Sequence, residues 1–262
     1  MENLTAAFLL TLMAGLSTGI GSCIAFMNRS GSRAFLSFSL GFSAGVMIYV
    51  SMTEMMQEAS AVLSSAVGAK TGSAIATASF FFGMLITAAL DRVIPAYENP
   101  HRVRMPGSAP LSNAGLMRTG VLTAVAIALH NFPEGLATFV SAMRQAETAM
   151  PIAAAIALHN IPEGMAVSVP IYEATGSRSK AFRYSFMSGL AEPLGALLGW
   201  LVLKPIMNDI FFGMIFAAVA GIMVFISLDE LLPAAREYGK HHTSIYGLTA
   251  GMAVMAISIL TF

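Results

Sequence analysis

The sequence predicts an all-α integral membrane protein with eight transmembrane helices, and three observations carry that prediction. Composition comes first: 56 % of residues are hydrophobic and only 11 % charged, where soluble domains carry about 25 % charge. Mean hydropathy is +0.73. Second, eight stretches reach the about 20 apolar residues that a helix needs to cross the hydrocarbon: 5–27, 34–57, 71–90, 118–141, 149–171, 181–203, 209–232 and 243–261. Third, a polar string, IALHNFPEGLA at 127–137, recurs as IALHNIPEGMA at 156–166 with nine of eleven positions identical. Polar groups at membrane depth are expensive and mark ion or substrate paths.

Taken in order, the first stretch follows MENL with no basic segment, so it reads as a transmembrane helix and not a cleaved signal. It carries Gly15 and Gly19, and the second carries Gly41 and Gly45 ahead of Glu54 and Glu58. Small residues four apart let helix backbones approach closely in lipid. After the third stretch comes the one long connection, 91–117, with Pro95, Pro100, Pro106 and Pro110 and several charges, which reads as a loop. The fourth and fifth stretches hold the repeated string. The sixth holds Glu192-Pro193, Gly195 and Gly199, the seventh ends near Asp229 and Glu230, and the eighth holds Gly247 and Gly251. Trp200, Tyr49, Tyr97 and Tyr172 fit interfacial anchoring or packing.

Lysine and arginine set the orientation. With the N-terminus outside, cytoplasmic loops hold eleven of the fourteen: Arg29, Arg33, Arg92, Arg102, Arg104, Arg118, Arg178, Lys180, Arg183, Arg236 and Lys240. External loops keep Lys70, Arg144 and Lys204. Both termini then face outside and the long loop faces the cytoplasm. A net charge of zero gives no sign of a nucleic-acid partner. Cys23 is the single cysteine, which excludes an internal disulfide and a cysteine-built zinc site. The nineteen methionines read as adaptable packing.

GFSAGVMIYVSMTEMMQEA (41–59) and AAVAGIMVFISLDELLPAA (217–235) share six of nineteen positions, with Ser51 on Ser227 and Glu54 on Glu230. A weaker match sets Gly15, Leu16 and Gly21 on Gly189, Leu190 and Gly195. In the topology above these paired helices run in opposite directions. The arrangement is 3+2+3: helices 1–3 and 6–8 form an inverted repeat around central helices 4 and 5, a plan used by many secondary transporters. Symmetry breaks where Glu192 aligns with Thr18, placing an acid beside Pro193 on one side only.

On a helix, residues i and i+4 share a face, so His130 points with Glu134 and His159 with Glu163, with Asn131 and Asn160 beside them. Pro133 and Pro162 have no amide hydrogen and should free the Leu129 and Leu158 carbonyls and bend the helices. The motif centres lie 29 residues apart about a short external turn, so antiparallel helices bring both to one depth. Two histidines, two asparagines and two glutamates then share a small volume, and Glu192 adds a third carboxylate. Buried carboxylates without compensation are costly, and a divalent cation offsets that. Imidazole with carboxylate and no thiolate suits Zn²⁺, Fe²⁺, Mn²⁺, Co²⁺ or Cd²⁺. Asparagine oxygens are weak ligands, as a site that must release its ion requires. Glu54 and Glu58 near one mouth and Asp229 and Glu230 near the other could attract cations. His241 and His242 read as a solvated pair or a release site.

With both H-N-x-P-E-G motifs, the A-E-P-L-G-A run around Glu192, eight spans and a long cytoplasmic loop, the chain resembles the ZIP family of metal-ion transporters over its whole length, and within it the bacterial ZupT branch. The resemblance implies one transporter domain over 1–262, a homodimer in the bacterial inner membrane surrounded by lipid, and import of divalent metals through a two-metal centre, with metals as substrates and no catalytic cofactor. It implies Glu134, His159 and Glu163 as ligands of one ion. Asn131, Asn160, Glu163, Glu134 and Glu192 would hold the other, with bridging glutamates, and His130 either ligates or sits just above. Two departures stand out. The long loop has only His101 where many relatives are histidine-rich. Asn160 and Gly164 replace the H-E-x-P-H-E pattern of some relatives, consistent with looser selectivity. Alternating access is expected to rock the six-helix repeat pair against helices four and five. The runner-up reading is an intramembrane zinc-dependent hydrolase. Against it, the two motif copies are alike and supply no distinct base or oxyanion donor.

Overall fold

A computed structural model describes residues 2–27, 33–93, 113–144, 146–203, 208–238 and 241–261, and among these residues there is no strand. Helix α1 is Glu2–Met27. α2, Arg33–Val50, passes through a π-helical turn at Ser51–Met55 into α3, Met56–Val67. Gly68, at φ +90°, turns the chain into α4, Ala69–Val93. Next come α5, Asn113–Arg144, and α6, Ala146–Thr175. Gly176, at φ +65°, precedes Ser177, whose hydroxyl accepts from the Lys180 amide (3.3 Å) and caps α7, Arg178–Gly189. Leu190 separates α7 from α8, Ala191–Leu198, which ends in a π turn at Gly199–Leu203. Asn208 caps α9, Asp209–Ile226, by accepting from the Phe211 amide (2.9 Å). α9 passes through a π turn at Ser227–Leu231 into α10, Leu232–Tyr238, and α11 is His241–Thr261.

Seven helical stretches are long and apolar enough to cross a membrane by length and composition. They are α1, α2–α3, α4, α6, α7–α8, α9–α10 and α11. α5, at 32 residues, is long enough by length alone. Two boundaries differ from expectation. The second span, expected to end at 57, continues to Val67, because Ala59 and Leu63 bury themselves against Gly213 of α9. The seventh, expected to end at 232, continues to Tyr238. Of the expected loop 91–117, α4 takes the start and α5 the end. Its four prolines, with His101 and Tyr97, fall outside the described residues.

The prolines of the repeated string do not interrupt their helices. α5 and α6 stay helical through Pro133 and Pro162, since packed neighbours in a membrane bundle support a proline-containing helix. The interruption comes at Leu190 instead, one turn before Pro193, which leaves the Gly189 carbonyl without its helical donor.

Close packing sorts the helices into two groups. α1, α5, α6 and α7–α8 pack on one another, as do α2–α3, α4, α9–α10 and α11, and α2 against α6 makes the main contact between them. Spans four and five therefore pack most closely with the first and sixth. Glycines decide this, because they let backbones touch. Gly15 of α1 and Gly189 of α7 each sit on the other's carbonyl.

The contacts come in matched pairs. Gly21 of α1 lies on Ile161 of α6 as Gly195 of α8 lies on Phe132 of α5. Gly164 meets the Thr18 carbonyl as Gly135 meets that of Glu192. In the other group, Gly45 meets Leu248 of α11 as Gly221 meets Phe80 of α4, and Gly251 meets Phe42 as Gly83 meets Ala218. The π turns Ser51–Met55 and Ser227–Leu231 occupy aligned positions of the sequence repeat.

Candidate metal centre

α5 and α6, joined by one residue and packed on each other, bring the two H-N-x-P-E-G copies together. Asn131, Glu134, His159, Asn160, Glu163 and Glu192 are all 0 % exposed. His159 Nε2 lies 3.3 Å from Glu134 Oε2. Asn160 Nδ2 donates to Glu192 Oε1, across from α6 to α8. The His130 side chain falls outside the described residues.

The two asparagines are anchored alike. Asn160 Nδ2 donates to the Ala14 carbonyl of α1 (3.0 Å), and Asn131 Nδ2 donates to the Ser188 carbonyl of α7 (3.3 Å). Ala14 and Ser188 are equivalent in the repeat, as Asn160 and Asn131 are. With each amide nitrogen tied to a neighbouring helix, each Oδ1 is held as an acceptor. Asn131 Oδ1, Asn160 Oδ1, Glu134 Oε1 and Glu192 Oε2 are buried with no hydrogen-bond partner among the described residues. Buried polar atoms without partners are rare and need an explanation. Four oxygens of this kind, two on carboxylates, are an electron-rich centre that a cation would satisfy.

Among the described residues no three His, Cys, Asp or Glu side chains stand in metal-enclosing geometry. The donors form two neighbouring pairs, Glu134 with His159 and Asn160 with Glu192. A cation between Glu134 and His159 would replace the proton they share.

Sequence reasoning missed Ser43, whose hydroxyl donates to the His159 carbonyl (3.1 Å) from α2, the main contact helix of the other group. It also missed the Ala14 and Ser188 carbonyls, although the match between the first and sixth spans contained the signal. The weaker candidates lie apart. Glu54 and Glu230 sit in the two π turns, inside long rods and not at helix ends as expected. Glu58 is in α3, nine residues before its end. Glu230 is buried and Asp229 exposed. His242 is exposed and stacked on Tyr246 (6.1 Å), while the His241 side chain is outside the described residues. Trp200 packs edge-on against Phe139 and Tyr172 packs against Phe26.

Fold and centre together define a multi-pass helical membrane protein with a buried centre rich in metal-type donors. The profile of the family described as ZIP zinc transporters matches residues 107–259. A Streptococcus mutans protein named zinc transporter ZupT is 61 % identical over 261 residues, covering 100 % of this chain and 99 % of that one. Proteins of the same name from Clostridium perfringens and Oceanobacillus iheyensis are 58 % and 57 % identical, covering 100 % and 99 % of this chain and 98 % and 99 % of their own length. The chain belongs to the ZIP zinc transporter family and to its ZupT branch. That family is one of transporters and not enzymes, so the hydrolase reading has no support.

Proposed function

We propose that this chain carries Zn²⁺ across the bacterial inner membrane into the cytoplasm through the centre built by α5, α6 and α8. The observation that carries this reading is the full burial of Asn131, Glu134, His159, Asn160, Glu163 and Glu192 where α5, α6 and α8 pack, in a member of a zinc transporter family. Asn131, Glu134, His159, Asn160, Glu163 and Glu192 hold the ion or ions, and His130 ligates or caps the site. Carboxylate and imidazole supply affinity. The asparagine oxygens, neutral and weak, let the ion leave. Bridging by Glu134 and Glu163 allows two ions. Fe²⁺, Mn²⁺, Co²⁺ and Cd²⁺ are further cargo compatible with these donors.

Residues 1–262 act as one transporter domain of eight spans in a 3+2+3 inverted repeat. The seven apolar stretches together with α5, the aligned π turns and the paired glycine contacts support that plan. The arginine and lysine distribution favours external termini and a cytoplasmic long loop. Exposed apolar side chains such as Leu85, Leu201 and Ile257 face lipid or a second copy in a homodimer. Alternating access moves α1, α5, α6 and α7–α8 as one body past α2.

The test is purified protein in liposomes with a trapped zinc indicator, and saturable Zn²⁺ influx above protein-free vesicles is expected. Folded protein that gives no influx of Zn²⁺, Fe²⁺, Mn²⁺, Co²⁺ or Cd²⁺ would overturn the reading.

A further inference from the structure

Helical serines and threonines in this protein commonly settle their hydroxyls on the carbonyl three or four residues back. Thr11 bonds to Ala7 (2.8 Å), Thr87 to Gly83 (3.0 Å), Thr175 to Ile171 (2.7 Å) and Ser227 to Met223 (2.7 Å). This is the ordinary local solution for a hydroxyl inside a helix. Thr138 and Ser141 of α5 do not adopt it. They are 0 % and 1 % exposed, and neither hydroxyl oxygen has a hydrogen-bond partner among the described residues. Burying a hydroxyl without a partner is destabilising.

Their register matters more than their number. Asn131, Glu134, Thr138 and Ser141 recur at helical spacing and share one face of α5. Asn131 Oδ1, Glu134 Oε1, Thr138 Oγ1 and Ser141 Oγ are all buried and unpartnered among the described residues. At 1.5 Å per residue the row extends about 10 Å beyond Glu134, toward the Arg144 end of the helix. Thr18, Ser22, Ser37 and Ser51 have unpartnered hydroxyls too, but they lie on α1, on α2 and in the π turn after it, and do not continue the Glu134 face.

The internal duplication supplies a control. Displaced by the 29 residues that relate the two motifs, the positions of Thr138 and Ser141 become Val167 and Pro170 of α6, both buried and apolar. The equivalent helix therefore packs without hydroxyls at these two places. Packing does not require them, and they leave polar oxygens unsatisfied.

We propose that Thr138 and Ser141 are ligands for the travelling ion. They form a row of neutral oxygens along which a divalent cation, keeping part of its water shell, passes between the Arg144 end of α5 and Glu134. Hydroxyl oxygens can replace one or two hydration waters without holding the ion, and several weak sites in series suit conduction better than one strong site. The inference rests on reading the chain as a metal transporter.

The test is zinc uptake by proteoliposomes bearing wild type, Thr138→Val, Ser141→Ala, the double variant and Thr138→Ser, with equilibrium zinc binding measured on the same preparations. Wild-type influx establishes transport separately, so its absence would count against the transporter reading and not against the row. Thr138→Val is expected to fold normally, because valine stands at the equivalent place in α6. It should lower maximal uptake about fivefold, on the scale of one lost weak interaction, and leave equilibrium binding within about twofold. The double variant should lose more and Thr138→Ser should recover. Wild-type uptake in the double variant would overturn the proposal. So would a loss of uptake matched by an equal loss of binding, since that would make Thr138 a support for the central site.

Discussion

Zinc uptake is expected to fall by at least about a hundredfold in a Glu134→Gln/Glu163→Gln double variant, with the protein still folded and monodisperse. Changing groups that merely orient metal ligands costs about 10- to 100-fold in affinity, and this variant neutralises two carboxylates proposed as direct ligands. Glutamine keeps the volume, so the buried face of α5 against α6 is preserved. Replacing buried carboxylates by amides of the same volume should leave the metal-free protein as stable as wild type or more so. Loss of transport together with unchanged or raised thermal stability is the signature of a site built for an ion. A transport loss that merely followed a drop in stability would point to a structural role for the two acids. The measurements are indicator influx and the melting temperature in detergent, taken on the same preparation.

The second large effect is structural. Gly135→Leu is expected to destabilise the folded protein by about 3 kcal/mol or more, the upper range for overpacking. A Cβ on Gly135 would collide with the Glu192 Cα, carbonyl carbon and oxygen, which are backbone and cannot swing aside. α5 and α8 would have to separate, carrying Glu192 away from Asn160. The melting temperature should drop by several degrees, and protein that survives should bind zinc weakly. Gly164→Leu should behave alike, because its Cβ would meet the Thr18 carbonyl at the equivalent contact. Unchanged stability in both variants would contradict the packing described.

Much of the centre was legible in the chain. The duplicated string announced its own importance. Equal arms about a short turn predicted that the two copies meet, and Glu134 does reach His159 (3.3 Å). The alignment of Thr18 with Glu192 pointed to the acid that meets Asn160. Ser51 on Ser227 and Glu54 on Glu230 foretold the two matching π turns, although not that they would be π turns. One extra residue in a turn leaves no mark on a 3.6-residue pattern, and the polar run Ser51–Met52–Thr53–Glu54 looks like the end of a helix. The rod continues because Leu63 finds a glycine in α9 to bury against, a partner distant in sequence. Glycine pairs announced close approach but not the partner, so the grouping of α1 and α7–α8 with α5 and α6 was not readable. Proline told only part of the story, for a related reason. Its lost hydrogen bond is local, whereas the support that keeps α5 and α6 helical comes from the neighbours.

The central claim is that the ion sits between α5, α6 and α8 on its way across. Zinc anomalous scattering from crystals of the zinc-loaded protein tests it most directly. A strong peak within ligand distance of Glu134, His159 and Glu163, with or without a second peak near Asn131, Asn160 and Glu192, is the predicted result. Zinc peaks confined to other parts of the protein, with the density around Glu134 and Glu163 empty at saturating metal, would contradict it.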